Sequence, residues 1–159
     1  MTNPLKLARI LALVTPLALL GGALAFQFWG GLYPCEMCWW QRYGHMAALA
    51  FALLGLALPA SRWPVGLAGL ALLVAGLIGG FHAGVEYGWW MGITGCTSTV
   101  HFTGGDALQA VMDAPLVRCD VVQWKLFGIS LAGYNFLVSG AGTLVIFVLL
   151  SRVEKRVRV

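Results

Sequence analysis

The four cysteines of this 159-residue chain are the residues with the clearest chemistry, and two of them form a C-x-x-C motif, Cys35-Glu36-Met37-Cys38. A disulfide at this spacing closes a very small ring, and such motifs are typical of reactive dithiols with a lowered thiol pKa. A helix predicted to begin here brings the positive end of its dipole to the pair, and Arg42 follows within about one helical turn. Both features favour the thiolate, which is the attacking species in disulfide exchange. The motif therefore predicts a redox-active pair.

Other interpretations of the C-x-x-C motif fit the sequence less well. A c-type haem site requires His after the second cysteine, where this chain has Trp39, and nothing else indicates a haem held by His45 and His82. A zinc site would need Cys96 and Cys119 as further ligands, but these two lack the paired spacing of a zinc knuckle. We therefore predict no metal and no haem. Two inert structural disulfides remain an alternative.

The second pair of cysteines, Cys96 and Cys119, lies in a segment rich in glycine and threonine. Between them, Asp106 can cap a short helix with one apolar face, which would suit the membrane surface. A loop with these features fits a role in docking a partner and exchanging a disulfide with it.

The composition indicates where these residues must lie. Hydrophobic residues make up 60% of the chain and charged residues 10%, with a mean hydropathy of +0.84. An ordinary soluble domain carries roughly 25% charged residues, so this chain has too few to cover a water-exposed surface. A soluble enzyme and a nucleic-acid binder are excluded on these grounds. We predict an integral membrane protein whose main surroundings are the lipid bilayer.

Charge-free runs indicate how the chain crosses the bilayer. A spanning helix needs about 20 mostly apolar residues, and a further charge-free run at 87–105 is rejected because its many glycines would leave backbone groups unpaired in lipid. The predicted spans are about 10–28, 43–58, 65–85 and 127–150, with outer loops at about 29–42 and 86–123. The predicted fold is an all-α membrane protein, a four-transmembrane-helix bundle with two periplasmic loops, the second carrying the short amphipathic helix. Residues 1–159 form a single membrane domain.

Glycines mark one side of the third predicted span. Gly69, Gly76, Gly80 and Gly84 include two pairs with small-x-x-x-small spacing. Such spacing lets helix backbones approach closely, so we expect this side to pack against another helix of the same bundle.

The basic residues orient the bundle. Seven of the ten lie at the termini and in the short connection between the second and third spans. The positive-inside rule therefore places both termini in the cytoplasm and all four cysteines on the outer face, where disulfides form. The first helix resembles a signal peptide but has too long an apolar run, so we predict that it is retained.

The complete pattern resembles the disulfide bond formation protein B (DsbB) family of the bacterial inner membrane. The resemblance covers nearly the whole chain. It includes P-C-E-M-C-W-W-Q-R opening the second span, H-A-G-V-E ending the third, a cysteine pair in the second outer loop, and W-K-L-F-G-I-S-L-A-G-Y-N opening the fourth. In the related vitamin K epoxide reductases, the C-x-x-C follows the loop cysteines instead of preceding them.

The resemblance implies a protein-dithiol:quinone oxidoreductase that reoxidises a periplasmic DsbA-like thiol oxidase and passes the electrons to a membrane quinone, ubiquinone or menaquinone. It implies that a Cys96–Cys119 disulfide accepts electrons from the partner through a mixed disulfide at Cys96. Cys119 then exchanges with Cys35, and Cys38 engages the quinone. It also implies that Arg42 stabilises the negative charge that develops there.

Three further residues near the quinone site have weaker claims. The resemblance places a quinone-site histidine at His82, although a histidine hydrogen-bonded between helices is an equally good interpretation. Gln41 is a candidate polar neighbour of the quinone. Glu86 could pair with His82, but a solvated interfacial carboxylate is the simpler interpretation. The alternative function is a non-enzymatic membrane transporter or assembly factor held together by two structural disulfides.

Overall fold

Helices form nearly all of the regular structure in the part of the chain that the structure describes. The computed structural model describes residues 3–94, 97–98 and 116–157. The helices within these ranges are α1 (Pro4–Phe28), α2 (Glu36–Ala57), α3 (Trp63–Glu86) and α4 (Leu131–Val157). The strands within them are β1 (Thr97–Ser98), β2 (Leu116–Val117), β3 (Lys125–Leu126) and β4 (Ile129–Ser130). Strand β1 pairs with β2 and β3 with β4, both antiparallel. The prediction of an all-helical fold with four long helices is confirmed.

The helices begin at residues suited to capping. The side chain of Asn3 accepts a hydrogen bond from the backbone N–H of Leu5 at 3.0 Å, and Pro4 follows in the first turn of α1. Pro64 occupies the same kind of position in α3. Helix α2 is capped by a sulfur, since Cys35 Sγ accepts the backbone N–H of Cys38 at 3.3 Å. The reactive motif is therefore also the start of a helix.

Length and composition identify α1, α3 and residues 131–153 of α4 as helices able to cross a membrane. Many of their large apolar side chains face outward, among them Ile10, Leu17, Leu77 and Leu144. These features define a multi-pass membrane protein. Helix α2, predicted to span at about 43–58, does not belong to this set, because its first two turns carry charged and amide side chains.

The helix ends differ from the ends of the predicted spans at two places. Residues 36–42, assigned to the first outer loop, already belong to α2, because polar side chains that suggested a loop face into the bundle instead. Residues 127–130, assigned to the fourth span, turn the β3–β4 hairpin and form β4. Phe127 and Gly128 both have positive φ, 50° and 80°, as a tight two-residue hairpin turn requires.

Helix α3 packs along both α2 and α4, and its glycines allow the close approach to α4. A Cβ added to Gly76 would lie 2.9 Å from Ser139 Cβ, and one added to Gly80 would lie 2.8 Å from the Phe136 ring. The predicted role of this glycine face, packing within the bundle, is confirmed at these two positions.

Two buried clusters lie at different places in the bundle. One joins all four helices and consists mainly of small aliphatic residues such as Ala12, Ala52 and Leu72. The other contains Cys35, Met37, Val85, Val117 and Cys119. In this second cluster the segment after β2 packs against the start of α2. Cys119, from a distant part of the chain, therefore lies next to the C-x-x-C motif.

Candidate active site

Cys35 and Cys38 are held by the first turn of α2. Their sulfur atoms are 2.9 Å apart. Cys35 is 1% exposed, whereas Cys38 is half-buried one turn further along the helix. A side chain that caps a helix and one in the following turn lie on the same side of its N-terminus, so the motif forms a compact dithiol.

Cys119 completes a three-cysteine group. Cys35 Sγ, Cys119 Sγ and a ring nitrogen of His82 all lie within 4.8 Å of one another. The exchange between Cys119 and Cys35 that the family resemblance implied therefore needs little movement of either residue. The same three donors could also ligate a metal ion, and sulfur with imidazole nitrogen is a donor set that zinc accepts.

The thiols of Cys35 and Cys119 differ in pKa. A hydrogen bond from the Cys35 thiol lowers the pKa of Cys119 to about 6, against the opposing effect of burial, and hydrogen bonds from the backbone of Met37 and Glu36 lower it further. The pKa of Cys35 is raised far above its usual range, chiefly by its hydrogen bonds to Cys119 and Cys38 and by burial. The pKa of Cys38 is lowered, chiefly by a hydrogen bond from Cys35. The prediction of a lowered thiol pKa in the C-x-x-C motif is therefore confirmed for Cys38 and wrong for Cys35.

His82 lies beside the cysteines and belongs to a buried polar chain. Its Nε2 is 3.6 Å from Cys35 Sγ, and its Nδ1 is 3.0 Å from the side-chain nitrogen of Gln41. Gln41 Oε1 accepts a hydrogen bond from Asn135 Nδ2 at 2.7 Å, and Asn135 Oδ1 is 2.9 Å from His45 Nε2. The chain thus links Cys35 to His45, deeper along α2.

Sequence reasoning missed Asn135 and assigned no function to His45. Asn135 is a polar residue on the otherwise apolar helix α4, four positions before Ser139, whose hydroxyl donates to its Oδ1 at 2.9 Å. Polar side chains four apart on a spanning helix are a detectable indication of a buried network. Their partner on α2, however, is 90 residues away from Asn135 in sequence and is found only through packing.

Glu86 also differs from its predicted state. Its side chain is 8% exposed and its Oε1 is 3.9 Å from His82 Nε2, so the interpretation as a solvated carboxylate is wrong. The possible pairing of the two residues, four positions apart on α3, is the arrangement observed.

Arg42 is buried, with 6% of its surface exposed, and contacts α1. Its Nη1 donates to Gln27 Oε1 at 2.5 Å and its Nη2 donates to the Ala23 carbonyl at 3.2 Å. The guanidinium also lies 5.0 Å from the centre of the Trp39 ring. Because both hydrogen-bond acceptors are neutral, neither of them cancels the positive charge of Arg42.

One cavity of about 360 Å³ is lined by the C-x-x-C pair, the buried polar chain and the two charged residues beside it, namely Cys35, Cys38, Gln41, Arg42, His45, His82, Glu86 and Asn135. The rest of its wall is mostly apolar and comes from α1, α4 and residues 118–126. A volume of this size, apolar with a few converging polar groups, is typical of a site for a small organic ligand. The predicted site residues Cys35, Cys38, Gln41, Arg42 and His82 share this wall. Cys96 and the short helix predicted after Asp106 lie outside the described residues.

The fold and the site together define a class of protein. A multi-pass membrane protein with a dithiol, a neighbouring third cysteine and a ligand-sized cavity has the features of a membrane thiol–disulfide oxidoreductase.

The chain belongs to the family of disulfide bond formation protein DsbB, whose model matches residues 5–149. It is 31% identical over 157 residues to disulfide bond formation protein B of Verminephrobacter eiseniae, covering 91% of this chain and 86% of that protein. The protein of the same name from a Polaromonas species is 31% identical over 165 residues, with 93% of each chain covered. That from Paracidovorax citrulli is 27% identical over 163 residues, with 94% of this chain and 90% of the other covered. No solved structure matches the chain. A role in disulfide bond formation follows from this family membership.

Proposed function

We propose that this protein reoxidises a periplasmic DsbA-like thiol oxidase and passes the electrons to a membrane quinone, either ubiquinone or menaquinone. The observation that carries the proposal is the convergence of Cys119, Cys35 and Cys38 beside an apolar cavity. Three neighbouring cysteines that lead, in the order Cys119, Cys35 and Cys38, to a ligand-sized cavity form a path for electrons. Structural disulfides alone would need neither the third sulfur nor the cavity.

The order of the thiol steps follows from the positions of the sulfur atoms, since Cys35 lies next to both Cys119 and Cys38. A reduced partner transfers two electrons to a Cys96–Cys119 disulfide, which leaves the partner oxidised and releases Cys119. Cys119, which leaves Cys96 as a thiolate and accepts hydrogen bonds from the backbone of Met37 and Glu36, attacks Cys35 Sγ of a Cys35–Cys38 disulfide, so that a Cys119–Cys35 bond forms and Cys38 leaves as a thiolate. Cys38 is the member of the pair that is less buried and lines the cavity.

The cavity fits a quinone by size and by the chemistry of its wall. A bound quinone supplies an acceptor for two electrons and two protons. Arg42 provides a fixed positive charge in surroundings of low polarity, where it stabilises nearby negative charge most strongly. His82 and Gln41 provide hydrogen-bonding groups, with Gln41 orienting the ring of His82.

The same proposal includes a topology. All four helices cross the bacterial inner membrane, α2 by means of residues 43–58, and residues 1–159 form one membrane domain with both termini in the cytoplasm. The segments 29–42 and 86–123 then face the periplasm, where the partner protein is found, and residues 36–42 of the first segment are the opening turns of α2. The polar first turns of α2 are accommodated because Gln41, Arg42 and His45 face the interior of the bundle and not lipid.

A coupled assay tests this function. The purified protein in detergent is mixed with a reduced DsbA-like protein and ubiquinone-1, and thiol loss and quinone reduction are followed together without oxygen. The expected result is one quinone reduced for each disulfide formed, with quinone reduction abolished by Cys38→Ser. As a matched control, Ser151→Ala changes an exposed side chain near the end of α4 and leaves both rates unchanged. Quinone reduction that survives Cys38→Ser would contradict the relay, and disulfides inert toward the partner would favour a structural role.

A further inference from the structure

The buried polar chain has one hydrogen-bond direction along its whole length, because two backbone carbonyls orient its amides. Gln41 Nε2 is 3.1 Å from the carbonyl of Met37, and Asn135 Nδ2 is 3.1 Å from that of Ala75. A carbonyl oxygen only accepts hydrogen bonds, so each of these amides must present its nitrogen there. Asn135 Nδ2 therefore also donates to Gln41 Oε1, and Gln41 Nε2 donates to His82 Nδ1.

These directions determine which ring nitrogen of each histidine carries the proton. His82 Nδ1 accepts from Gln41, so the proton of its neutral ring is on Nε2, toward Cys35 Sγ. Asn135 Oδ1 can only accept, so His45 must donate to it from Nε2. In a neutral His45, the remaining nitrogen, Nδ1, then carries no proton and can accept a hydrogen bond.

That lone pair is an unused acceptor in a buried place. His45 is 4% exposed, and its Nδ1 has no hydrogen-bond partner among the described residues. A buried acceptor without a donor is unfavourable, so the site gains whenever a donor reaches it. His45 also lines the cavity, on the same side of α2 as Cys38, Gln41 and Arg42.

The two redox forms of a quinone differ in what they can offer to this nitrogen. The oxidised ring has carbonyl oxygens, which only accept hydrogen bonds, whereas the reduced ring has hydroxyl groups, which donate. On the basis of the proposed function, we propose that His45 Nδ1 accepts a hydrogen bond from a hydroxyl of the reduced quinone, and that the site thereby binds the reduced form in preference to the oxidised form.

This preference would make the bound quinone a stronger oxidant. Binding the product of reduction more tightly than the substrate moves the equilibrium of the bound pair toward reduction. A tenfold ratio of dissociation constants raises the two-electron potential of the bound pair by about 30 mV. His45 would therefore favour the withdrawal of electrons from Cys38 without touching a sulfur atom.

The test measures binding of the two redox forms separately. The protein carries Cys38→Ser, so that no electrons pass to the ring. Ubiquinone-1 and its hydroquinone are titrated without oxygen against tryptophan fluorescence, to which Trp124 in the cavity wall contributes. His45→Leu is expected to raise the dissociation constant of the hydroquinone about tenfold and that of the quinone less than about twofold. An equal change in both constants, or no change in either, would overturn the proposal.

Ser139→Ala is the matched control, because Ser139 also donates to Asn135 Oδ1, at 2.9 Å, but lies outside the cavity wall. It is expected to alter neither constant. If it reproduces the effect of His45→Leu, the effect arises from the buried chain and the proposal fails.

A second measurement avoids any dependence on the folding of His45→Leu. With ¹⁵N-labelled histidine in the Cys38→Ser protein, the His45 Nδ1 resonance should move on addition of hydroquinone and stay in place with quinone; it is assigned by replacing the other two of the three histidines. A resonance that ignores the hydroquinone overturns the proposal. If neither form binds the protein at all, the proposed quinone-linked function fails as well, which separates the two outcomes.

Discussion

Cys35 and Cys119 hold their protons with very different strengths although their sulfur atoms are neighbours. Both belong to the same buried cluster, but Cys119 receives hydrogen bonds from the Cys35 thiol and from the first backbone groups of α2, whereas Cys35 supplies one. This difference fits the proposed relay, in which the loop cysteine attacks the first cysteine of the C-x-x-C motif. The helix start acts on a residue 84 positions away from the helix cap in sequence.

This difference predicts the pH dependence of alkylation in the fully reduced protein. The pKa of Cys119 is lowered to about 6, so its reactive thiolate is present above pH 6 and is lost as the pH falls through that value. The rate of iodoacetamide modification of Cys119, followed by peptide mass spectrometry, should have a midpoint near pH 6. Cys35→Ala removes the principal hydrogen-bond donor and should move the midpoint upward toward that of an ordinary thiol. A midpoint unchanged by Cys35→Ala would show that the two sulfur atoms do not interact.

Arg42 should act on the quinone and not on the thiol exchange. Replacement by neutral Gln removes a buried positive charge from the cavity wall, and we expect the apparent affinity for ubiquinone-1 to fall about tenfold. Formation of the mixed disulfide with the partner should keep its rate. Arg62→Gln, a change outside the cavity wall, is the control and should affect neither. Equal loss in the two steps would indicate that Arg42 is only structural, through its contacts with α1.

At the scale of elements, the cavity depends on how closely α3 approaches α4. Gly76→Ala would place a methyl group 2.9 Å from Ser139 Cβ, so one helix must move. The expected loss is about 1–3 kcal/mol in the free energy of unfolding, measured by SDS titration in mixed micelles. Gly66→Ala, in the same helix with nothing within 4 Å of the added carbon, should be neutral or stabilising. Equal effects of the two changes would contradict the close approach at Gly76.

The elements also show how far sequence reasoning reaches. Four helices, the glycine face and the C-x-x-C motif at a helix start could all be predicted, because each depends on local composition or spacing. The packing of the first turns of α2 could not, since Arg42 was assigned to an outer loop and is in fact buried against α1. The contact of His45 with Asn135 joins α2 to α4, and no local pattern encodes a pairing of that kind. The place of Cys119 came from family resemblance and not from spacing.

At the scale of the whole molecule, the proposed topology has a direct test. Alkaline phosphatase is active only outside the cytoplasm, and green fluorescent protein fluoresces when it folds inside the cytoplasm. Fusions after residues 60 and 157 should fluoresce, and phosphatase fusions after residues 32 and 122 should be active. An active phosphatase after residue 60 would mean that α2 does not cross the membrane, and would contradict the four-span arrangement.

The central claim is that electrons pass between Cys119 and Cys35, and trapping that bond tests it most directly. The oxidised protein, with Cys35 joined to Cys38 and Cys96 joined to Cys119, is mixed with reduced DsbA-like partner in the absence of quinone. Quenching with acid and an alkylating agent then traps the Cys38 thiol that is released when Cys119 attacks Cys35. Disulfide mapping by mass spectrometry should then find Cys35 joined to Cys119, whose sulfur atoms lie within 4.8 Å of each other. A Cys35–Cys38 bond that stays intact while the partner is joined to Cys96 or oxidised would contradict the relay.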